Sequence, residues 1–219
     1  MLNVEGLVVN IGTTNILRDA DLAVRPNTMC GLIGRNGAGK TTFMRSVMGI
    51  LPVQAGRVEF DHIDLRKVHP HHRAHMGIGY MPEDRRLVPD FSTEENILLP
   101  VWSTHMEDAE DRLAWIYRLM PEVQQFATRP ASQLSGGQQK LVALARALMC
   151  GHKLLLLDEP FEGVAPALAR RLAAVLSDLK DEGLSVLLAE SNEQHVAHLL
   201  DTIYIIERGS IRQEQPPAA

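Results

Sequence analysis

Apolar positions in this chain recur with two periods, and the order in which those periods alternate predicts the fold. Leu2–Ile11 alternates partly between apolar and polar residues and then meets Gly12-Thr13-Thr14-Asn15, so it reads as a strand running into a hairpin turn. Ala20–Val24 continues as a strand, Arg25-Pro26-Asn27 turns the chain, and Met29–Ile33 is the next strand. Leu51-Pro52 and Ala55-Gly56 bracket a loop before two short strands, Arg57–Phe60 and Gly77–Met81. Leu154–Leu157 and Leu184–Ala189 are continuous apolar runs, the type buried on both faces of a parallel sheet. Thr202–Glu207 reads as a last strand before the turn Arg208-Gly209-Ser210.

Between these strands the period lengthens to that of a helix. Thr42–Met48 is helical with Gly49 as its stop. Ser92 and Glu95 have the capping-box spacing, so a helix opens at Thr93. Met106–Met120 carries Leu113, Ile116, Tyr117 and Met120 as a core stripe. Ser135-Gly136-Gly137-Gln138 is a second capping box, opening a helix with Leu141, Leu144, Ala145 and Leu148 on one face. Ala165–Gly183 is amphipathic, and Asn192–Leu200 also reads as helical. From Thr93 to Cys150 there is no strand signal. The predicted class is α/β: an antiparallel β opening, a parallel-sheet core, and a helical insertion.

Composition adds limits. A chain of 219 residues can hold one domain, or one with an inserted subdomain. Its 45% apolar and 22% charged residues are ordinary for a soluble globular protein, and a net charge of −5 gives no nucleic-acid footprint. The apolar runs are too short to span a bilayer, and no basic segment followed by an apolar one opens the chain, so no secretion signal is expected. Cys30 and Cys150 lack metal-ligand spacing and predict two buried free thiols in a reducing compartment. His69-Pro70-His71-His72-Arg73-Ala74-His75 raises a metal site, because Pro70 in a first helical turn would put His71 and His75 one turn apart. With no Cys nearby and Asp61 and Asp64 in a preceding loop, a solvated helix is favoured. The tail Gln213–Ala219, with Pro216-Pro217, is expected to be flexible.

The chemistry centres on Gly34-Arg35-Asn36-Gly37-Ala38-Gly39-Lys40-Thr41-Thr42, of the form G-x-x-x-x-G-K-T, between a predicted strand and a predicted helix. Its glycines let backbone N–H groups approach phosphates closely. Lys40 would reach the β- and γ-phosphates, the Thr41 hydroxyl would hold Mg²⁺, and the helix would present its positive dipole end. Downstream, Asp158 and Glu159 end a buried strand, the place where open α/β sheets bind ligands. Asp158 fits the acidic partner that helps hold Mg²⁺, and Glu159 is placed to polarise an attacking water. The cap at Ser135 leaves amides at a helix N-terminus, an anion site or simply a cap.

Three motifs in order, GRNGAGKTT, LSGGQ over Leu134–Gln138 and LLLLDEP over Leu154–Pro160, resemble the ATP-binding subunit of ABC transporters over nearly the whole chain. The resemblance implies an α/β ATP-binding core (1–83 and 151–212), a helical subdomain (84–150) carrying the signature, and ATP and Mg²⁺ as ligands. Two such subunits, identical or related, would close head to tail, so that Ser135, Gly136, Gly137 and Gln138 of one cap the ATP on the phosphate loop of the other. It also implies peripheral attachment at the cytoplasmic side of the plasma membrane. There membrane permeases would dock near Glu83 to Asn96, with a periplasmic binding protein acting indirectly and no nucleic-acid partner. Tyr80–Arg86, Glu159–Pro166 and Leu188–Asn192 are similar to the small ATPase subunit of importers for branched-chain amino acids, urea and amides.

Three positions depart from most of the family. Glu83 replaces a Gln that touches Mg²⁺ and the attacking water; a carboxylate can still accept from water. Ser191 stands where a switch His contacts the γ-phosphate. Ile11 stands where an aromatic ring stacks on adenine, forgoing a term of roughly 1–3 kcal/mol. The favoured reading is an importer ATPase. The alternatives are an ATP-binding, weakly hydrolytic partner subunit, motivated by Ser191 and Ile11, and a soluble non-transport member of the family, disfavoured because the chain has no second ATPase domain or long insert.

Overall fold

The structure is a computed structural model that describes residues 1–104 and 106–214. Strand β1 (Leu2–Ile11) pairs antiparallel with β2 (Thr14–Val24) on one side and with β4 (Ala55–Phe60) on the other, and β5 (Ile63–Asp64) completes a four-stranded sheet in the order β2-β1-β4-β5. The imperfect alternation of β1 has a physical cause. Leu2 and Val4 are buried, then Leu7 and Val9, so the inward parity flips between positions 4 and 7. The register breaks there, Gly6 sits at φ 59°, and its N–H donates to Asp21 Oδ1 at 2.7 Å. The flip is a β-bulge.

The second sheet has six strands in the order β10-β9-β3-β8-β7-β6: β3 (Met29–Ile33), β6 (Ile78–Met81), β7 (Leu154–Asp158), β8 (Ser185–Glu190), β9 (Thr202–Glu207) and β10 (Ser210–Glu214). The pairs among β9, β3, β8, β7 and β6 are parallel, and β10 is an antiparallel edge. Both faces are covered, which is why these strands read as unbroken apolar runs. Leu154, Leu156, Leu187 and Leu32 pack toward helix α1 (Lys40–Val47) and the antiparallel sheet, against Phe43, Met44, Leu7 and Phe60. Leu155, Leu157, Val186 and Leu188 face the other way, toward helices α6 (Gly136–Cys150) and α7 (Pro166–Asp181).

The helical lobe comprises α3 (Thr93–Thr104), α4 (Ala109–Leu119), α5 (Pro121–Gln124) and α6. The capping box at Ser92 is formed in both directions, Glu95 N to Ser92 Oγ at 3.1 Å and Ser92 N to Glu95 Oε2 at 2.7 Å. Ile97, Ile116, Met120, Val123 and Leu144 are fully or almost fully buried and join the lobe to the core on the α6 face. Contact between α6 and β6 is close enough to exclude a side chain: a Cβ on Gly79 would lie 2.1 Å from the Ala147 carbonyl oxygen.

Several sequence expectations need correction. Asn192–Leu200 is not an α-helix; it forms turns with one 3₁₀ segment at Ala197–Leu199, and Val196, Leu199 and Leu200 are buried as a short apolar patch rather than a continuous helical stripe. The expected flexible tail starts too early, since Gln213 and Glu214 complete β10 opposite Tyr204 and Ile203; its remainder lies outside the described residues. Ala55 and Gly56 belong to β4 rather than to a loop, and the helix expected from Met106 begins at Ala109. The histidine stretch forms only a short helix, α2 (His72–His75), with Arg73 as its anchor. Arg73 is buried and donates to the Ser46 and Val47 carbonyls at the end of α1 and to Leu65 O. His69, His71, His72 and His75 are exposed, and among the described residues no three metal-binding side chains converge.

Candidate functional site

Parallel pairing of β3, β8 and β7 puts their carboxyl ends in a row. Ile33 lies opposite Glu190, and Asp158 opposite Ala189. Gly34 and Glu159, the next residues of β3 and β7, therefore emerge on either side of Glu190. Gly34 N donates to Glu190 O at 3.0 Å, and Glu159 N donates to Ala189 O at 2.9 Å. Three segments distant in sequence thus meet at one edge, as parallel α/β sheets require of a ligand site.

The loop from Gly34 to Gly39 wraps over this edge. Gly37 and Gly39 take φ of 81° and 117°, conformations that residues with a Cβ rarely adopt. A Cβ on Gly34 would lie 2.4 Å from Ile206 O, so only glycine lets the loop turn off β3. Arg35, Asn36 and Gly37 are exposed, whereas Lys40 is 3% exposed, its ammonium between the Gly34 carbonyl (2.5 Å) and Glu159 Oε1 (2.9 Å). Thr41 Oγ1 donates to Asp158 Oδ1 at 3.2 Å, and Tyr80 OH donates to Asp158 Oδ2 at 3.2 Å. Asp158 is fully buried, and burial pushes its carboxyl up to about 6. Glu159 is 4% exposed at φ 50°, and its second oxygen, Oε2, is buried with no hydrogen-bond partner among the described residues. An unpartnered buried carboxylate oxygen beside a lysine is suited to accept a hydrogen bond from a water or hydroxyl that enters the site.

The remaining sequence candidates fall into two groups. Ser135 caps α6 as predicted: Gln138 N donates to Ser135 Oγ at 3.3 Å and Ser135 N to Gln138 Oε1 at 2.9 Å. Gly136 and Gly137 occupy the first turn, where N–H groups have no intrahelical acceptor, and Ser135 and Gly136 are exposed. Glu83 is exposed at the start of the loop after β6, and its charge contributes to raising Asp158. Ser191 is the exposed residue just after β8. Ile11, half exposed, ends β1 at a hairpin whose Leu17 side chain lies against the phosphate loop at Gly39. Among the described residues, no hydrogen bond or ion pair joins Ser135–Gln138 or Ile11 to Lys40 or Glu159.

Three polar residues to which the sequence reading gave no role belong to this region. Tyr80 is the second holder of Asp158. Lys140, buried on α6, donates to the carbonyls of Glu159, Pro160 and Glu162. Glu190 is buried at the end of β8 and accepts from Phe161 N at 2.9 Å. A charged residue closing an apolar strand, or lying inside an apolar helix face, is the signal that marks the last two.

A glycine-lined loop between β3 and α1, with a lysine, a threonine and paired acids at the carboxyl edge of a parallel sheet, defines the class: a phosphate-loop nucleotide-hydrolysing protein. The separate helical lobe opened by a capped LSGGQ narrows it further. Residues 17–162 match the ABC transporter family, and the chain belongs to that family as an ATPase subunit. It is 30% identical over 219 residues to the high-affinity branched-chain amino acid transport ATP-binding protein BraG of Pseudomonas aeruginosa, covering 100% of this chain and 94% of that one. It is 33% identical over 198 residues to the lipopolysaccharide export system ATP-binding protein LptB of Escherichia coli, covering 90% and 82%. Among solved structures, the ADP conformation of an ATP-binding cassette of an ABC transporter superposes with a TM-score of 0.84 at 28% identity, covering 98% and 91%.

Proposed function

We propose that this ATPase subunit works as half of a composite site and drives an importer, with the edge residues in the roles their contacts suggest. Lys40 exchanges its contact with Glu159 for the β- and γ-phosphates. Thr41 and Asp158, 3.2 Å apart through a hydroxyl donor, would hold Mg²⁺ together with Glu83. Held there, Mg²⁺ would supply positive charge against the transferring phosphoryl group. Glu159 orients and deprotonates the attacking water through Oε2. The Ser135 hydroxyl and the Gly136 and Gly137 amides of a second ATPase subunit supply donors to the γ-phosphate from the far side, as expected of a capped helix N-terminus. The observation that carries this reading is the meeting of Lys40, Thr41, Asp158 and Glu159 at one sheet edge while the signature faces outward on another lobe.

The imported molecule is proposed to be a branched-chain amino acid, an amide or a related small molecule. The likeness to BraG supports this, although LptB, equally similar, is named for lipopolysaccharide export. For the permease, a groove of about 400 Å³ lies between the core and α3, lined by Met48, Ile50, Tyr80, Arg86, Leu99 and Pro100. It adjoins the Glu83 to Asn96 segment, and Ile50 and Trp102 are more than half exposed. No helix of the described residues is long and apolar enough to cross a membrane, which fits a peripheral subunit held by its permease. Weak turnover in a partner role is the second reading, supported by Ser191 and Ile11.

Turnover measured against protein concentration, with the chain titrated by itself and by its sister ATPase, tests the composite site. The rate per chain should rise with concentration of the completing subunit, and Ser135→Arg should abolish turnover while nucleotide affinity stays within about twofold. A rate per chain that ignores both concentration and Ser135→Arg refutes it.

A further inference from the structure

Glu159 leaves β7 at φ 50°, a backbone conformation that a residue with a Cβ holds only when its surroundings impose it. Two charged side chains from outside its loop supply contacts that impose it. Lys140, in the second turn of α6, is 7% exposed, and its Nζ donates to the carbonyl oxygens of Glu159 (2.9 Å), Pro160 (3.0 Å) and Glu162 (2.5 Å). Glu190, the last residue of β8, is 4% exposed, and its Oε1 accepts from Phe161 N at 2.9 Å. Four backbone groups in four consecutive residues are thereby held, from one side by the helical lobe and from the other by the core sheet. The Glu190 backbone is in turn bonded to Gly34, the first residue of the phosphate loop.

We infer that Lys140 and Glu190 are positioning residues that act as a two-sided clamp on the Glu159–Glu162 backbone and so aim the Glu159 carboxylate. Burying charges far from water is costly, and well-packed apolar residues of similar volume would serve a purely structural purpose better. Burial pushes Glu190 up to about 7 and lowers Lys140, the two directions expected of desolvated charges. Lys140 also rides on the helix opened by the signature. The same residue therefore joins the segment that serves the partner's ATP to the carboxylate that serves this chain's own, so movement of α6 on dimer closure reaches Glu159 through one side chain. This inference rests on the proposal that Glu159 activates water.

The test uses the assembled ATPase dimer with this full chain native or as one of four variants, Glu190→Ala, Glu190→Gln, Lys140→Met and Glu159→Gln, and MgATP as the probe. Affinity, KM and kcat are measured, and circular dichroism reports the folded fraction. Misplacement of a catalytic group by about 1 Å can cost about 100-fold, so Glu190→Ala and Lys140→Met should each lower kcat by about 10- to 100-fold. MgATP affinity should stay within about twofold. Glu190→Gln keeps an acceptor for Phe161 N and should restore kcat to within about threefold of the native chain. If Glu190→Ala does not fold, Lys140→Met, which keeps the apolar stem, decides alone. Native kcat in the variants beside an inactive Glu159→Gln overturns the clamp, as does a fall of kcat and affinity in parallel. An active Glu159→Gln overturns the role of Glu159 itself, a separate failure.

Discussion

Glu190 should make the protein less stable as pH rises, and Glu190→Gln should remove that loss. Burial raises its carboxyl from an ordinary 4.5 to about 7. In the unfolded chain the group ionises near 4.5; in the fold it keeps its proton until about 7. Between those values the folded state binds more protons than the unfolded one, so stability falls as pH rises through the window and is level above it. A gap of about 2.5 pH units corresponds to about 3 kcal/mol; the Phe161 N–H donor favours the charged form and keeps the gap from being wider. Urea unfolding of the native chain and of Glu190→Gln at pH 5, 6, 7 and 8 measures it. Subtracting the two curves cancels other titrating groups, including Asp158, whose raised carboxyl acts in the same direction. The variant should gain on the native protein by about 2–3 kcal/mol between pH 5 and pH 8. A constant difference across that range would mean that Glu190 titrates normally and that its burial costs nothing.

Other substitutions probe separate parts of the account. Gly79→Ala forces a Cβ to 2.1 Å from the Ala147 carbonyl and should lower stability by about 1–3 kcal/mol in urea unfolding, because the Ala147 oxygen and the Gly151 Cα in its way are backbone. Ser135→Ala removes the cap of α6 and should cost about 1 kcal/mol by the same assay. Ile11→Tyr places a ring on a half-exposed hairpin end without disturbing the core; ATP titration followed by fluorescence should show about fivefold tighter binding, a modest part of the stacking range, and unchanged affinity would remove Ile11 from the adenine site.

Strongly periodic and fully buried elements were legible in the sequence. Met29–Ile33, Leu154–Asp158 and both capping boxes appear where their patterns put them, since in each case local chemistry and tertiary burial agree. The phosphate loop was legible for the same reason: its glycines, lysine and threonine are required by one local geometry. Legibility failed where tertiary context decides. Leu199 and Leu200 are buried by the edge of the core, not by a helix face, so their apolar character misled the reading of Asn192–Leu200. β10 exists because β9 offers it a partner, and its own polar sequence gives no strand signal. Tyr80 and Glu190 lie in stretches that carry the family resemblance but had no role of their own there, and Lys140 lies in no motif; only folding shows that they converge on Asp158 and on the loop after Glu159.

Glu159, held by Lys40 and with one oxygen unpartnered among the described residues, is proposed to activate the water that attacks ATP. Single-turnover hydrolysis of MgATP by Glu159→Gln, in the assembled dimer, tests it most directly. ATP binding should stay within about twofold of the native protein and hydrolysis should slow by about 100-fold or more, within the range of general base catalysis. Native-rate hydrolysis in that variant would contradict it.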